Sequence, residues 1–77
     1  MEQEFERLRK ALASNVVRAR KELGLSQEQL AFEAGIDRTY VSQIERRVNN
    51  PSLLVLQKLA HALKTNVVGL LTPKGKT

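Results

Sequence analysis

Apolar residues recur along this chain at the spacing of a single helix face. Phe5, Leu8, Leu12, Val16, Ala19 and Leu23 fall three or four apart, which predicts a long first helix closed by Gly24. Residues 1–4 are polar and are expected to fray. Glu6 and Lys10 stand four apart on that helix, in the order that favours an ion pair. A second amphipathic segment runs from Gln27 to Ala34, with Leu30, Ala31 and Ala34 inward, and a third from about Arg38 to Glu45, with Val41 and Ile44 inward. Ser26 and Asp37 each stand one residue ahead of a segment, where a side-chain oxygen can cap free N–H groups. Ser26 with Gln29 also matches a capping box. Gly35 can take the positive φ that ends the second helix.

Asn49-Asn50-Pro51 then signals a loop. Ser52 caps a fourth helix, whose inward stripe is Leu53, Leu56, Leu59, Ala60 and Leu63. Val67 to Leu71 is long enough for one or two turns, weakened by Gly69 and ended by Pro73. No internal repeat, strand-like alternation or linker composition interrupts the pattern. The expected fold is all-α: five helices with short connections around one core, a single domain over 1–77 with a flexible tail over about 73–77.

Composition narrows the function. A chain of 77 residues lies near the lower size for a self-sufficient core, and its 42% apolar and 27% charged residues fit a folded domain. There is no cysteine, so no disulfide or thiolate metal site is available. No apolar run approaches the ~18 residues of a membrane span, and no signal segment opens the chain; a cytoplasmic protein, with no membrane partner, is the expectation. One histidine and no clustered carboxylates leave no acid–base or metal constellation, so neither an enzyme nor a cofactor is expected. His61 reads as a structural or surface residue beside the fourth stripe. The ending Pro73-Lys74-Gly75-Lys76-Thr77 fails as a phosphate loop, because Gly69 is one residue too far from Gly75, no strand precedes it and no helix follows. The net charge is +5, and from Arg46 onward there are six Lys or Arg and no acid. Such an excess suits a polyanion, although a solvated basic surface would look the same.

Two short helices joined by a Gly-containing turn form a helix-turn-helix arrangement. In DNA-binding proteins built this way, the second helix enters the major groove with its N-terminal side chains at the base edges. Arg38, Thr39, Ser42 and Gln43 avoid the Val41/Ile44 stripe; all can donate hydrogen bonds and none is acidic. The fork of Arg38 matches guanine O6 and N7, with a phosphate contact or a solvated arginine as the alternative. Gln43 matches adenine N6 and N7, Thr39 can meet a thymine methyl or cap locally, and Ser42 can assist or touch phosphate. Tyr40 can reach a phosphate with its hydroxyl or pack its ring on the helix pair. Arg18, Arg46, Arg47 and Asn49 can brace the phosphate backbone, where contacts position the protein and carry little sequence information, with a plain solvated side chain as the alternative for each.

With these residues laid out, the chain resembles the lambda-repressor-like, or Xre, family of helix-turn-helix regulators. The motifs are R-A-R-K-E-L-G-L-S-Q-E-Q-L-A-F-E-A-G-I-D, then T-Y-V-S-Q-I-E-R, then N-P-S-L-x-x-L-x-K-L-A-x-A-L. The run D-R-T-Y-V-S-Q-I-E-R also resembles the small controller proteins of restriction–modification systems. The resemblance implies a compact five-helix DNA-binding domain, with Gln27 holding a phosphate at a helix N-terminus. It further implies a partly buried ion pair between Arg20 and Glu45. Where many members carry Gly, this chain has Arg47 and Lys64, so those two helix ends are expected to be built differently. The first helix extends about two turns upstream of the usual start, over about 1–11.

Related domains often pair through the last helix, which implies a homodimer on a palindromic double-stranded operator. The pattern offers Leu54, nearly opposite the fourth-helix stripe, and Val67, Val68 and Leu71 on the fifth as interface. Further partners of such a regulator are RNA polymerase or a toxin; an antitoxin that also binds DNA is the alternative function. Recognition of single-stranded RNA fits poorly, since two Phe and one Tyr leave few aromatics for stacking bases.

Overall fold

Capping side chains set where most of the helices begin. In the computed structural model, which describes residues 2–74, the order is α1 (Glu2–Glu22), α2 (Gln27–Ala34), α3 (Arg38–Glu45), α4 (Leu53–Ala62) and α5 (Val67–Leu71). Ser26 accepts from the Gln29 amide at 3.0 Å and Gln29 Oε1 accepts from the Ser26 amide at 2.8 Å, which completes the capping box. Asp37, Ser52 and Asn66 accept from the amides of Thr39, Val55 and Gly69. The expected five-helix all-α fold is what forms, with no strand among the described residues.

Several local expectations are corrected. α1 begins at Glu2, not at Phe5, because Glu2 and Glu4 put acid in the first turn, where the helix dipole favours it. Glu6 pairs with Arg9, not Lys10; the Arg9 guanidinium is already held over the Phe5 ring, within the reach of Glu6. Leu53 is 73% exposed and does not join the core. It lies on the stripe but at the first helical position, beyond the edge of the packed layer. Phe5, Leu8 and Leu23 likewise sit past the two ends of the core and are exposed. Of the tail expected over 73–77, residues 75–77 lie outside those described.

The ends at Arg47 and Lys64 are not built differently. Both residues adopt φ 61, as left-handed as Gly24 at 72 and Gly35 at 71. Each of the four helix ends closes with the same pair of main-chain bonds, such as Val48 N to Gln43 O and Arg47 N to Ile44 O, both at 3.0 Å. The bonds satisfy carbonyls that the helix leaves free. That gain holds two cationic residues in a conformation costing roughly 1–2 kcal/mol each for a residue with a Cβ.

One core cluster joins all five helices, with Leu12, Val16, Leu30, Val41, Ile44, Leu59 and Leu70 at its centre. α2 packs on α3 and α4, while α1 packs on α3 and α5. The 21 residues of α1, at about 1.5 Å per residue, run nearly the full 33 Å length of the molecule. Among the described residues, Asn15 is the polar residue buried as a whole. Asn15 is 2% exposed, and its Nδ2 donates to the carbonyls of Leu70 at 2.8 Å and Thr72 at 2.9 Å. These are C-terminal carbonyls of α5, so α1 fastens the short last helix by its free end. A Cβ at Gly69 in α5 would stand 2.7 Å from Thr65 Oγ1, so that exposed hydroxyl would have to turn aside.

Candidate nucleic-acid interface

The α2–α3 turn is Gly35-Ile36-Asp37. Gly35 reverses the chain, half-buried Ile36 pins the turn to the core, and Asp37 starts α3. The Thr39 amide holds the Asp37 carboxyl below the usual carboxylate range, and neighbouring Arg38 pulls the same way. With Val41 and Ile44 inward, α3 turns Arg38 and Thr39 fully outward and leaves Ser42 and Gln43 half-exposed. Among the described residues, the Arg38 side chain makes no hydrogen bond or ion pair, so its donors are available, while the Thr39 hydroxyl also leans on the Asp37 carboxylate. The Tyr40 ring packs against the core.

Behind this face stands a carboxylate that gathers three helices. Glu45 Oε2 accepts from Arg20 Nε at 2.7 Å, and Oε1 accepts from Arg20 Nη2 at 3.1 Å and from Gln27 Nε2 at 2.9 Å. Arg20 also donates to the Leu25 carbonyl at 2.9 Å. The two charged side chains are 12% and 7% exposed. The bidentate fork fixes the end of α3 against α1. The Gln27 side-chain amide is therefore turned to Glu45, and what the start of α2 can offer an anion is its free main-chain N–H groups.

At the C-terminal end of α3, Arg46 Nε donates to Ser42 Oγ at 3.2 Å, leaving the Ser42 proton to point elsewhere. Arg47 and Arg18 border one open groove with Lys10 and Ser14. Arg18 is in part a structural residue, since it donates to Asn15 Oδ1 at 2.8 Å. Asn49 Nδ2 lies 3.5 Å from Gln43 Oε1. The expected interface residues divide: Leu54 and Val68 are 63% and 74% exposed, whereas Val67 and Leu71 are half-buried against the core. Sequence reasoning missed Asn15 and Arg9, whose partners lie 55 and 40 residues away; periodicity and local spacing carry no signal for such pairs.

The profile of the helix-turn-helix family HTH_3 matches residues 16–70. The chain belongs to this family. It is 45% identical over 71 residues to the control protein C.SmaI of Serratia marcescens, covering 92% of this chain and 84% of that protein. The crystal structure of a hypothetical transcription factor from Neisseria matches with a TM-score of 0.83 at 45% identity, over 86% of this chain and 76% of that one. SinR, a master regulator for biofilm formation solved in complex with DNA, matches with a TM-score of 0.75 at 37% identity, over 79% of this chain and 98% of that one. This helix-turn-helix protein is a DNA-binding regulator of transcription. Among its described residues, no helix is long and apolar enough to cross a membrane.

Proposed function

We propose that the chain binds a palindromic operator as a homodimer, with α3 in the major groove. The observation that carries this is the outer face of α3, where Arg38, Thr39, Ser42 and Gln43 project donors and no acid, on a helix locked from behind by Glu45. In this reading Arg38 and Gln43 read base edges, with Thr39 and Ser42 assisting. The first turn of α2 at Gln27, the Tyr40 hydroxyl, Arg18, Arg46, Arg47 and Asn49 meet the backbone. A single such helix covers one half-site, so a two-fold pair reads two, spaced about 34–36 Å apart. Leu54 and Val68, exposed on α4 and α5, supply the apolar surface for that pairing. The name of the control protein relative supports regulation of this kind, and SinR on DNA supports the mode of contact.

Selection of duplexes from a random pool tests the reading. A selected site should lose about 10³–10⁵ in affinity between 50 and 200 mM salt if 6–10 phosphates are contacted. Arg38→Ala should cost about 1–3 kcal/mol and relax preference at one base position. Val68→Asp should shift sedimentation toward monomer and weaken the palindromic site. Equal affinity for selected and scrambled duplexes at every salt concentration refutes sequence-specific reading, and a monomer that binds the palindrome non-cooperatively refutes the dimer.

A further inference from the structure

We propose that Arg9, on the N-terminal extension of α1, is a positioning residue that orients the Gln43 side chain through Asn49. The base-reading part of this inference rests on the groove placement of α3 given above. Arg9 stands one turn upstream of Leu12, where α1 enters the core. Its guanidinium carbon lies 4.9 Å from the centroid of the Phe5 ring. One terminal nitrogen pairs with the Glu6 carboxylate, and the other donates to the Asn49 main-chain carbonyl at 3.4 Å. Asn49 lies in the loop that leaves α3, and its own amide reaches Gln43 Oε1. Phe5, Leu8 and Arg9 face Asn50 and Pro51 across a cavity of about 130 Å³, so the extension lies directly against this loop.

The chemistry calls for arginine. A planar guanidinium covers a ring with its face while its edge donates in two directions. Lysine offers one compact ammonium, which cannot serve Phe5, Glu6 and the Asn49 carbonyl together. The bonds at 3.4 and 3.5 Å are long for individual hydrogen bonds. They restrain the loop as a set, with the ion pair and the ring contact holding the donor in place. The result for Gln43 is directional. With one lone pair of Oε1 facing Asn49, the amide is biased against flipping, which leaves the second Oε1 lone pair and one Nε2 hydrogen to match adenine N6 and N7.

Two measurements decide this, using Arg9→Ala and Arg9→Lys, with exposed Arg7→Ala as control and thermal melts to verify folding. In the DNA-free protein, the NMR side-chain amide signals of Asn49 and Gln43 should both move in the two Arg9 variants and stay put in Arg7→Ala. Unmoved signals overturn the connection. On DNA, the relevant base pair is the one whose preference Gln43→Ala abolishes. There, Arg9→Ala should reduce discrimination by about threefold to tenfold, a part of what a side-chain amide contributes at a base, and Arg9→Lys should not restore it. Adding Arg9→Ala to Gln43→Ala should change discrimination no further. The salt slope should stay as in wild type. A slope reduced by about 0.9 makes Arg9 a phosphate contact, and equal weakening on every sequence makes it a plain structural brace; either result overturns the proposal. A wild type with no base preference removes the reading of α3 instead, and the DNA-free measurement still decides whether Arg9 orients Gln43.

Discussion

Replacing Arg20 or Glu45 by alanine should come close to unfolding the protein. Glu45 accepts three hydrogen bonds, two from Arg20 and one from Gln27, while only 7% of its side chain is exposed. Arg20→Ala leaves that carboxylate with Gln27 alone and strips the Leu25 carbonyl of its side-chain donor. Glu45→Ala leaves the guanidinium, 12% exposed, with Leu25 alone. Breaking a buried pair from one side costs about 3–5 kcal/mol. A chain of this length has roughly 4–12 kcal/mol in total. The midpoint of thermal unfolding should therefore fall by at least ~12 °C, taking ~4–8 °C per kcal/mol. The double variant strands no charge and should cost about 1–3 kcal/mol less than the sum. Arg20→Lys should fall between, since an ammonium replaces at most part of the fork. Urea unfolding followed by far-UV circular dichroism gives all four values. The loss should persist at high salt, because a pair this enclosed is weakly screened. Additivity of the two single losses within ~0.5 kcal/mol refutes the idea that Glu45 is held by Arg20.

Four further outcomes follow from the geometry. Lys64→Gly should raise stability by about 0.5–1 kcal/mol, the left-handed strain relieved less the freedom glycine gains on unfolding. Arg47→Gly should stabilise similarly while weakening duplex binding, so that melting and affinity titrations move in opposite directions. Asn15→Ala should cost about 1–3 kcal/mol by unpairing carbonyls at the end of α5, and amide exchange should show α5 opening first. The depressed pKa of Asp37 contributes stability that is fully present above the usual 3.8 and lost as pH falls through the lower folded value. Asp37→Asn, which caps without titrating, should flatten that part of the acid unfolding curve.

What could be read in the sequence is what local physics decides. The inward positions Leu30, Ala31, Ala34, Val41 and Ile44, the Ser26 capping box and the Gly35 reversal each depend on neighbours within one turn, and all form as their spacing requires. The outward face of α3 was legible for the same reason. Periodicity says which way a side chain points but not where the core stops, which is why Leu53 reads as buried and is not. Asn15 stands three after Leu12 and four before Ala19, on the inward side, but its polarity gives no sign of burial because the α5 carbonyls that reward it are far away in sequence. Arg47 and Lys64 mislead in the opposite direction. Their composition argues against a left-handed end, yet the two closing main-chain bonds and the packing on either side hold them there. Within the interface, residue types were visible but partners were not: Gln27 turns to Glu45 and Asn49 to Gln43 only once the helices have met.

The fastening of α5 by Asn15 bears on angular tolerance. A five-residue helix cannot hold its own shape in water, so its heading is inherited from α1. For a pair of copies meeting at α5, each recognition helix stands roughly 17 Å from the two-fold axis, half the usual half-site spacing. Over that lever arm, a tilt of about 5° at the fastening displaces the reading face by roughly 1.5 Å, enough to forfeit a base-edge hydrogen bond. One buried amide near the middle of α1 would then act as the calibration of a ruler whose marks are the two halves of the operator.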